Sequence, residues 1–534
     1  MNVAFRRLVL AAAVLSVAPV LAPAPALAQG FGGRQPNSFP SSDATLRRMW
    51  TLGMDSSHTY AQAQALMDSV GPRLNGSPGH KAGNEWLVSM YRQYGITARN
   101  EQYGTWKAWR RGVMHLDLVQ PRVRSLEAML LAWSSGTKGR VEGKVVTLPA
   151  ETDSASFRAW LPSARNAFVL VSFPEPTCRP DDNYREYATP ERFEQMQAER
   201  TAARQAWTRR MRALGSANDL HARLAQAGVR GILTSNWSRG WGVNKIFSTR
   251  VEGTPVADVS CEDYGLLHRL AENGQGPVVR LEADAQMMGE LPVFNTIAEI
   301  RGTEKPDEYV MLSAHFDSWD GGSGATDNGT GTVTMLEAMR ILKAAYPNPK
   351  RTILVGHWGG EEQGLNGSRA FAADHPAIVK GLAALFNQDN GTGRVSNIST
   401  GGLVDAGAFF AQAMAALPSD ISRHIDLNIP GMPGGGGSDY ASFLCYGAPS
   451  FSLGSNSWEY GTYTWHTNRD TFDKIDFGEI RNNATLTAML VYLASESPEP
   501  IGRAKRVMPS DSTGQARAWP ACTTPARKSS ESSR

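Results

Sequence analysis

Between residues 309 and 389 short apolar runs alternate with helical spacing, and each run stops at an acid or a histidine. Tyr309 to Ala314 reads as a buried strand that ends at His315 and Asp317. A glycine-rich loop carries Asp327, and Val333 to Leu342 then has apolar residues at helical spacing. The next strand, Thr352 to Val355, leads to Glu361 and Glu362, and the run Leu382 to Phe386 ends at Asn387, Gln388 and Asp389. Strands alternating with helices in this way fold into an open α/β sheet, which binds ligands in the crevice outside the carboxyl ends of its strands. Core packing gives no reason for three successive strand ends to carry acids or histidine.

The residue types suit divalent metal ions. A hydrolytic zinc pair takes neutral imidazoles and carboxylates, one carboxylate shared by both ions, and open positions for water and substrate. His315, Asp327, Glu362, Asp389 and, further on, His466 offer each part. Singly the motifs carry little: His-x-Asp is common as a strand-end pair, and Glu-Glu is an ordinary helix start, where acids are favoured by the helix dipole. Their order, each at a strand end, gives the pattern its weight. His357 stands just before the glutamate pair but has no place in the pattern, so it reads as structural. His58, His80, His115, His221, His268, His375 and His424 lack a matching acidic context. Asp470 reads equally well as a partner for His466 or as a turn residue.

This set resembles the M28 family of zinc exopeptidases, which includes bacterial aminopeptidases and carboxypeptidase Q-like enzymes, and the resemblance covers most of the chain after its N-terminal segment. It implies a doubly wound, mixed-sheet α/β domain holding two zinc ions per chain. His315, Asp327 and Asp389 would hold one ion, and Asp327, Glu362 and His466 the other. Glu361 would be the general base, and Asp317 would accept a hydrogen bond from the non-ligating nitrogen of His315. The tyrosine that some members place before a Ser-Asp-His segment is replaced here by Gly434 to Gly437. Tyr440 and Tyr463 are therefore the candidate oxyanion or substrate contacts, with aromatic packing as the competing role. The glycine run reads as a flexible rim of the pocket.

The same resemblance suggests a smaller, β-rich protease-associated domain inserted over residues 126–285, between catalytic parts at 40–125 and 286–505. Ala222 to Leu233 and Thr254 to Leu267 carry that likeness, and Cys178 and Cys261, both inside the insert, would staple it. Pro190 to Leu214, rich in Arg and Glu at helical spacing, reads as a solvated helix of the insert. The implied activity is removal of terminal residues from peptides, read as an aminopeptidase. A carboxypeptidase or dipeptidase of the same family, and a non-catalytic receptor-like protein on the same fold, are the alternatives. The shared Asp327 with Glu362 speaks against the family's one-metal cyclases.

The chain ends bear on where this happens. Arg6 and Arg7, apolar Leu8 to Leu21, then Ala26, Leu27 and Ala28 match a secretory signal over residues 1–28 with cleavage after Ala28, so the chain is expected to be exported to the periplasm or secreted. No later apolar run is long enough to span a bilayer. A net charge of +3 over 534 residues, without clustering, argues against a nucleic-acid partner. Four cysteines allow three pairings, with free thiols as the other reading. Residues 510–534, rich in Ser, Thr, Pro and Ala, are expected to form a disordered tail.

Overall fold

Four parallel strands occupy the centre of the computed structural model, in the order Ser450–Ser455, Leu382–Asn387, Lys305–His315, Arg351–Trp358. The model describes residues 39, 41–150 and 153–532, and the expected export signal over residues 1–28 lies outside them. Every residue of Leu382–Asn387 and Arg351–Trp358 is buried, as are the last six of Lys305–His315. Near-continuous apolar runs are what parallel strands covered on both faces require. Because the strands run parallel, His315, Asp317, Glu361, Glu362 and Asp389 all leave the sheet at one rim.

On one face the helices Thr330–Ala345 and Phe477–Glu496 pack against the sheet and against each other. Thr330 through Leu342 are all buried, so this helix has no polar face. Glu337 and Arg340 pair within it at 2.8 Å, and Glu337 also accepts the His58 amide at 2.9 Å and Gln62 Nε2 at 3.0 Å. The N-terminal helix Pro78–Gln93 starts where it does because Ser77 caps it and Pro78 occupies the first helical position.

Beyond Arg351–Trp358 the sheet turns antiparallel. Val278–Ile300 pairs with it and, over most of its length, with Thr97–Gln120. The far end of this ribbon pairs with Val141–Thr147, followed by Phe168–Leu170, Gly231–Thr234 and Val256–Val259 in parallel and Ala128–Leu130 antiparallel. Two further apolar cores form there, one around Leu116, Phe168, Tyr264 and Leu281, the other around Phe157, Leu220 and Ile246. The helix Pro190–Arg212 stands on this part, capped by Thr189 and buried only at Met196 and Arg200.

Two disulfides join Cys178 to Cys261 and Cys445 to Cys522. The second bond corrects the expectation of a disordered tail for residues 510–532. That segment lacks apolar periodicity of its own, but it borrows a core. Trp519 Nε1 donates to the Leu444 carbonyl at 3.0 Å, the Ala526 amide to Asn366 Oδ1 at 2.8 Å, and the Thr105 amide to the Arg527 carbonyl at 2.8 Å. Among the described residues, no helix is long and apolar enough to cross a membrane.

Candidate metal centre

His315 closes its strand with its ring inside the rim. His315 Nε2 lies 3.3 Å from both Asp327 Oδ1 and Asp389 Oδ1. His466 Nε2 lies 3.2 Å from Asp327 Oδ2 and 2.9 Å from Glu362 Oε2. The five residues thus form two clusters, His315-Asp327-Asp389 and Asp327-Glu362-His466, each with its ligand-type atoms within 4.8 Å of one another. Asp327 belongs to both. These residues and Glu361 share one open cavity of about 620 Å³, within the usual size of a small-molecule site.

Asp327 is held by its neighbours. It sits on the loop before Thr330–Ala345, and its amide and that of Thr326 donate to the Asp470 carboxylate at 3.0 and 2.7 Å. Asp470 therefore serves this loop rather than His466, whose buried Nδ1 has no hydrogen-bond partner. Burial pushes the Asp470 carboxyl up to about 7, against the two amides that lower it. Asp317 also differs from expectation. Its Oδ1 is 3.7 Å from His315 Nδ1, too far for a hydrogen bond, and His315 Nδ1 instead lies 3.0 Å from the Asp317 backbone carbonyl. The Asp317 carboxylate accepts the amides of Glu361 at 3.0 Å and Glu362 at 3.3 Å. It locks the glutamate turn because those two amides point back at it across the rim.

Tyr440 and Tyr463 are not among the residues lining the cavity. The Tyr440 ring packs beside Phe443 in the core while its hydroxyl donates to the Gly436 carbonyl at 3.4 Å, and Tyr463 packs against Gly240. Tyr460 is the phenol the fold does bring to the ligands. Burial, followed by the charges of Asp327 and Asp389, raises it well above its ordinary value. Asp439 is a second addition. It is fully buried, burial pushes it to about 7, and its charge acts on Glu361. His357 is structural as read: it meets the Tyr91 hydroxyl at 2.6 Å, and burial lowers it to about 3.

The remaining walls come from distant parts of the chain. Trp465 stacks on His466 at 4.0 Å between ring centroids, and Phe247 meets the same ring edge-on at 5.3 Å. Gly435 to Gly437 form part of the rim, as expected, and Thr523, Thr524 and Glu531 of the tail line the cavity too. Arg394 pairs with Glu479 and Arg469 with Glu127, and Arg369, whose Nη1 donates to the Gly364 carbonyl at 2.7 Å, lines the cavity.

The donor set fits metal ions. Four carboxylates, Asp327, Glu361, Glu362 and Asp389, crowd one rim, and Glu362 Oε1 has no hydrogen-bond partner among the described residues. Burial and the Asp327 charge push Glu362 up to about 7. Burial, helped by Asp389 and Asp439, raises Glu361 well above the carboxylate range. Such acids need positive charge to ionise together. In the metal-free protein the histidines supply some of it: burial lowers His466, but Glu362 and Asp327 outweigh that and set it at about 9, and Asp389 and Glu361 likewise raise His315. Both imidazoles are then protonated at neutral pH and must lose protons to become ligands. Zinc uptake is therefore expected to release protons, and affinity to fall as pH drops from 8 to 6. Zinc titrations at the two values, with proton release followed in weak buffer, check this; a pH-independent affinity without proton release contradicts it.

Known proteins share sequence and fold with this chain. Residues 295–491 match the model of Peptidase family M28. The chain is 26% identical over 453 residues to carboxypeptidase Q of Mus musculus, covering 84% of this chain and 88% of that one. An M28 peptidase precursor from Shewanella amazonensis superposes with a TM-score of 0.62 at 24% identity, covering 86% of this chain and 97% of that one. The zinc aminopeptidase BSAP from Bacillus subtilis gives a TM-score of 0.54 at 18% identity, with 84% and 97% covered.

Proposed function

We propose that this chain, which belongs to peptidase family M28 and is a zinc-dependent exopeptidase, holds two zinc ions and acts as an exported aminopeptidase. The observation that carries the two-ion reading is the sharing of Asp327 between two ligand clusters. His315, Asp327 and Asp389 hold one ion, and Asp327, Glu362 and His466 the other. Bound zinc supplies Lewis acidity toward the scissile carbonyl and makes a water nucleophilic near neutral pH. Glu361, inside the cavity and desolvated, takes the attacking water's proton and passes it to the leaving amine. Asp317 fixes the turn that aims Glu361. Residues 126–285 form the inserted protease-associated domain between catalytic parts at 40–125 and 286–505. Two disulfides support export, since such bonds persist in oxidising compartments.

The acid-rich cavity, with Glu531 added by the tail, supports binding of a substrate ammonium and hence the aminopeptidase reading. A carboxypeptidase is the second reading, favoured by Arg369 in the same wall and by the similarity to carboxypeptidase Q. Incubation with one peptide acetylated at its N-terminus and one amidated at its C-terminus separates them by mass spectrometry. An aminopeptidase trims only the amidated peptide and a carboxypeptidase only the acetylated one. Failure to trim either, with zinc bound, removes both the aminopeptidase and the carboxypeptidase readings.

A further inference from the structure

Away from the metal centre, a cavity of about 660 Å³ is walled by Arg200, Arg204, Arg209, Arg212 and Arg239. We infer that it is an anion-binding site and that it takes carboxylates carried by the peptide substrate. The substrate half of this inference rests on the exopeptidase reading above.

Charge balance is the first argument. Four of the five arginines stand on the helix Pro190–Arg212 at spacings of four, five and three residues, which puts Arg200 over Arg204 and Arg209 over Arg212. Like charges so placed repel, and a solvated helix has no reason to gather them around a concavity. The carboxylates paired with them are two, Glu175 and Asp181. Glu175 is shared by Arg200 and Arg204, and Asp181 by Arg200 and Arg239. Arg209 and Arg212 have no ion pair among the described residues. Five guanidinium groups facing two carboxylates leave an excess of three positive charges.

The second argument is burial. Arg200 is 6% exposed, and its Nη2 makes no hydrogen bond among the described residues, although the guanidinium lies 5.4 Å over the Trp237 ring. Buried guanidinium donors are normally all satisfied, and a planar fork with a spare N–H matches a carboxylate or phosphate oxygen. Arg204 is lowered by burial and then by the charge of Arg239, so the cavity already crowds its cations.

Continuity with the metal centre is the third. A middle cavity of about 510 Å³ shares Arg204 and Thr208 with the arginine cavity and Phe247 with the metal cavity. Trp207 and Lys245 form its walls. The middle cavity thus borders both a rim crowded with carboxylates and a concavity crowded with guanidiniums. A peptide with its ammonium at the first and acidic side chains or its terminal carboxylate at the second matches both.

The test uses the full chain loaded with zinc. Two peptides share the residues around the cleaved bond and differ downstream, one carrying Asp and Glu, the other Asn and Gln. At low salt, kcat/KM for the acidic peptide is expected to exceed that for the neutral one by about tenfold, the worth of one charge-assisted contact. Arg204→Ala and the double variant Arg209→Ala/Arg212→Ala are expected to bring the ratio to within about twofold of unity, and the corresponding Lys variants to recover part of it. Zinc content and thermal melting show that each variant is folded. Because the readout is a ratio, general damage to the metal centre does not imitate it. A second arm titrates inorganic phosphate into the wild type and the variants by calorimetry. Phosphate binding that the alanine variants lose, with a ratio near one throughout, supports the anion site and overturns its use by the peptide. A ratio near one together with no phosphate binding overturns both. If no peptide is cleaved at all, the exopeptidase reading fails, and the phosphate arm still decides the anion site.

Discussion

Glu361→Gln is expected to lower peptide turnover by a factor of about 100 to 10,000 with zinc still bound. The amide keeps the shape of the side chain and some of its hydrogen bonding but cannot accept a proton from water and deliver it to an amine. Glu361 lines the cavity yet belongs to neither ligand cluster, so the metal-binding set is intact without its charge. Its neighbour behaves differently. Glu362 lies 2.9 Å from His466 Nε2 and completes the second cluster, so Glu362→Gln is expected to lose about one zinc per chain, with activity falling as a consequence. Elemental analysis beside steady-state kinetics reads both variants. Loss of metal from Glu361→Gln with retention by Glu362→Gln reverses the two roles, and near-normal activity in both removes the site.

The roles differ so sharply because adjacent residues on a tight turn face different ways, and the turn is fixed from outside the pair. Asp317 accepts both amides of the turn. In the sequence Asp317 stands out only through its spacing from His315, and the natural inference is that its carboxylate orients that histidine. The fold gives that task to the Asp317 backbone carbonyl. Local spacing brings the two residues together, but the choice between carbonyl and carboxylate depends on a turn 44 residues away. Three of the four parallel core strands, and the residues that end them, were legible for the opposite reason: each is a short apolar run ending at a polar residue, a pattern complete within about ten residues, whereas Ser450–Ser455 was not singled out. The ribbon of Thr97–Gln120 with Val278–Ile300 was not, since Thr97–Gln120 mixes Arg and Lys with buried Trp106 and Trp109 and finds its partner far along the chain. The tail was misread on the same ground. Its order comes from Cys445, Leu444 and Asn366, none of them in the tail.

Arg73 is the clearest case of function hidden by distance, and its replacement carries the second large expected effect. It lies in a turn-rich loop between two N-terminal helices and gives no sign of chemistry in the sequence. In the fold it is fully buried under the ligand loop. Its Nε donates to the Phe316 carbonyl at 2.8 Å, Nη1 to those of Gly71 and Ser323 at 2.9 Å each, and Nη2 to that of Gly324 at 2.8 Å. Burial lowers its pKa to about 10, with the charges of Asp470, Asp317 and Asp327 opposing the fall, so it remains a cation at neutral pH. Arg73 and Asp470 thus grip residues 316–327 from two sides, one through carbonyls and the other through amides. Arg73→Met keeps the length and apolar stem but leaves four carbonyls without that donor. The expected loss is on the order of 3 to 5 kcal/mol of unfolding free energy in the metal-free protein. Zinc affinity is expected to fall with it, because Asp317 and Asp327 ride on the loosened segment. Arg73→Lys is expected to recover only part, since one ammonium cannot reproduce a planar fork that reaches four oxygens. Urea unfolding without metal, followed by zinc titration, reads both effects, and a change of less than about 0.5 kcal/mol in Arg73→Met, the ordinary scale of surface substitutions, shows that the loop is held by something other than this guanidinium.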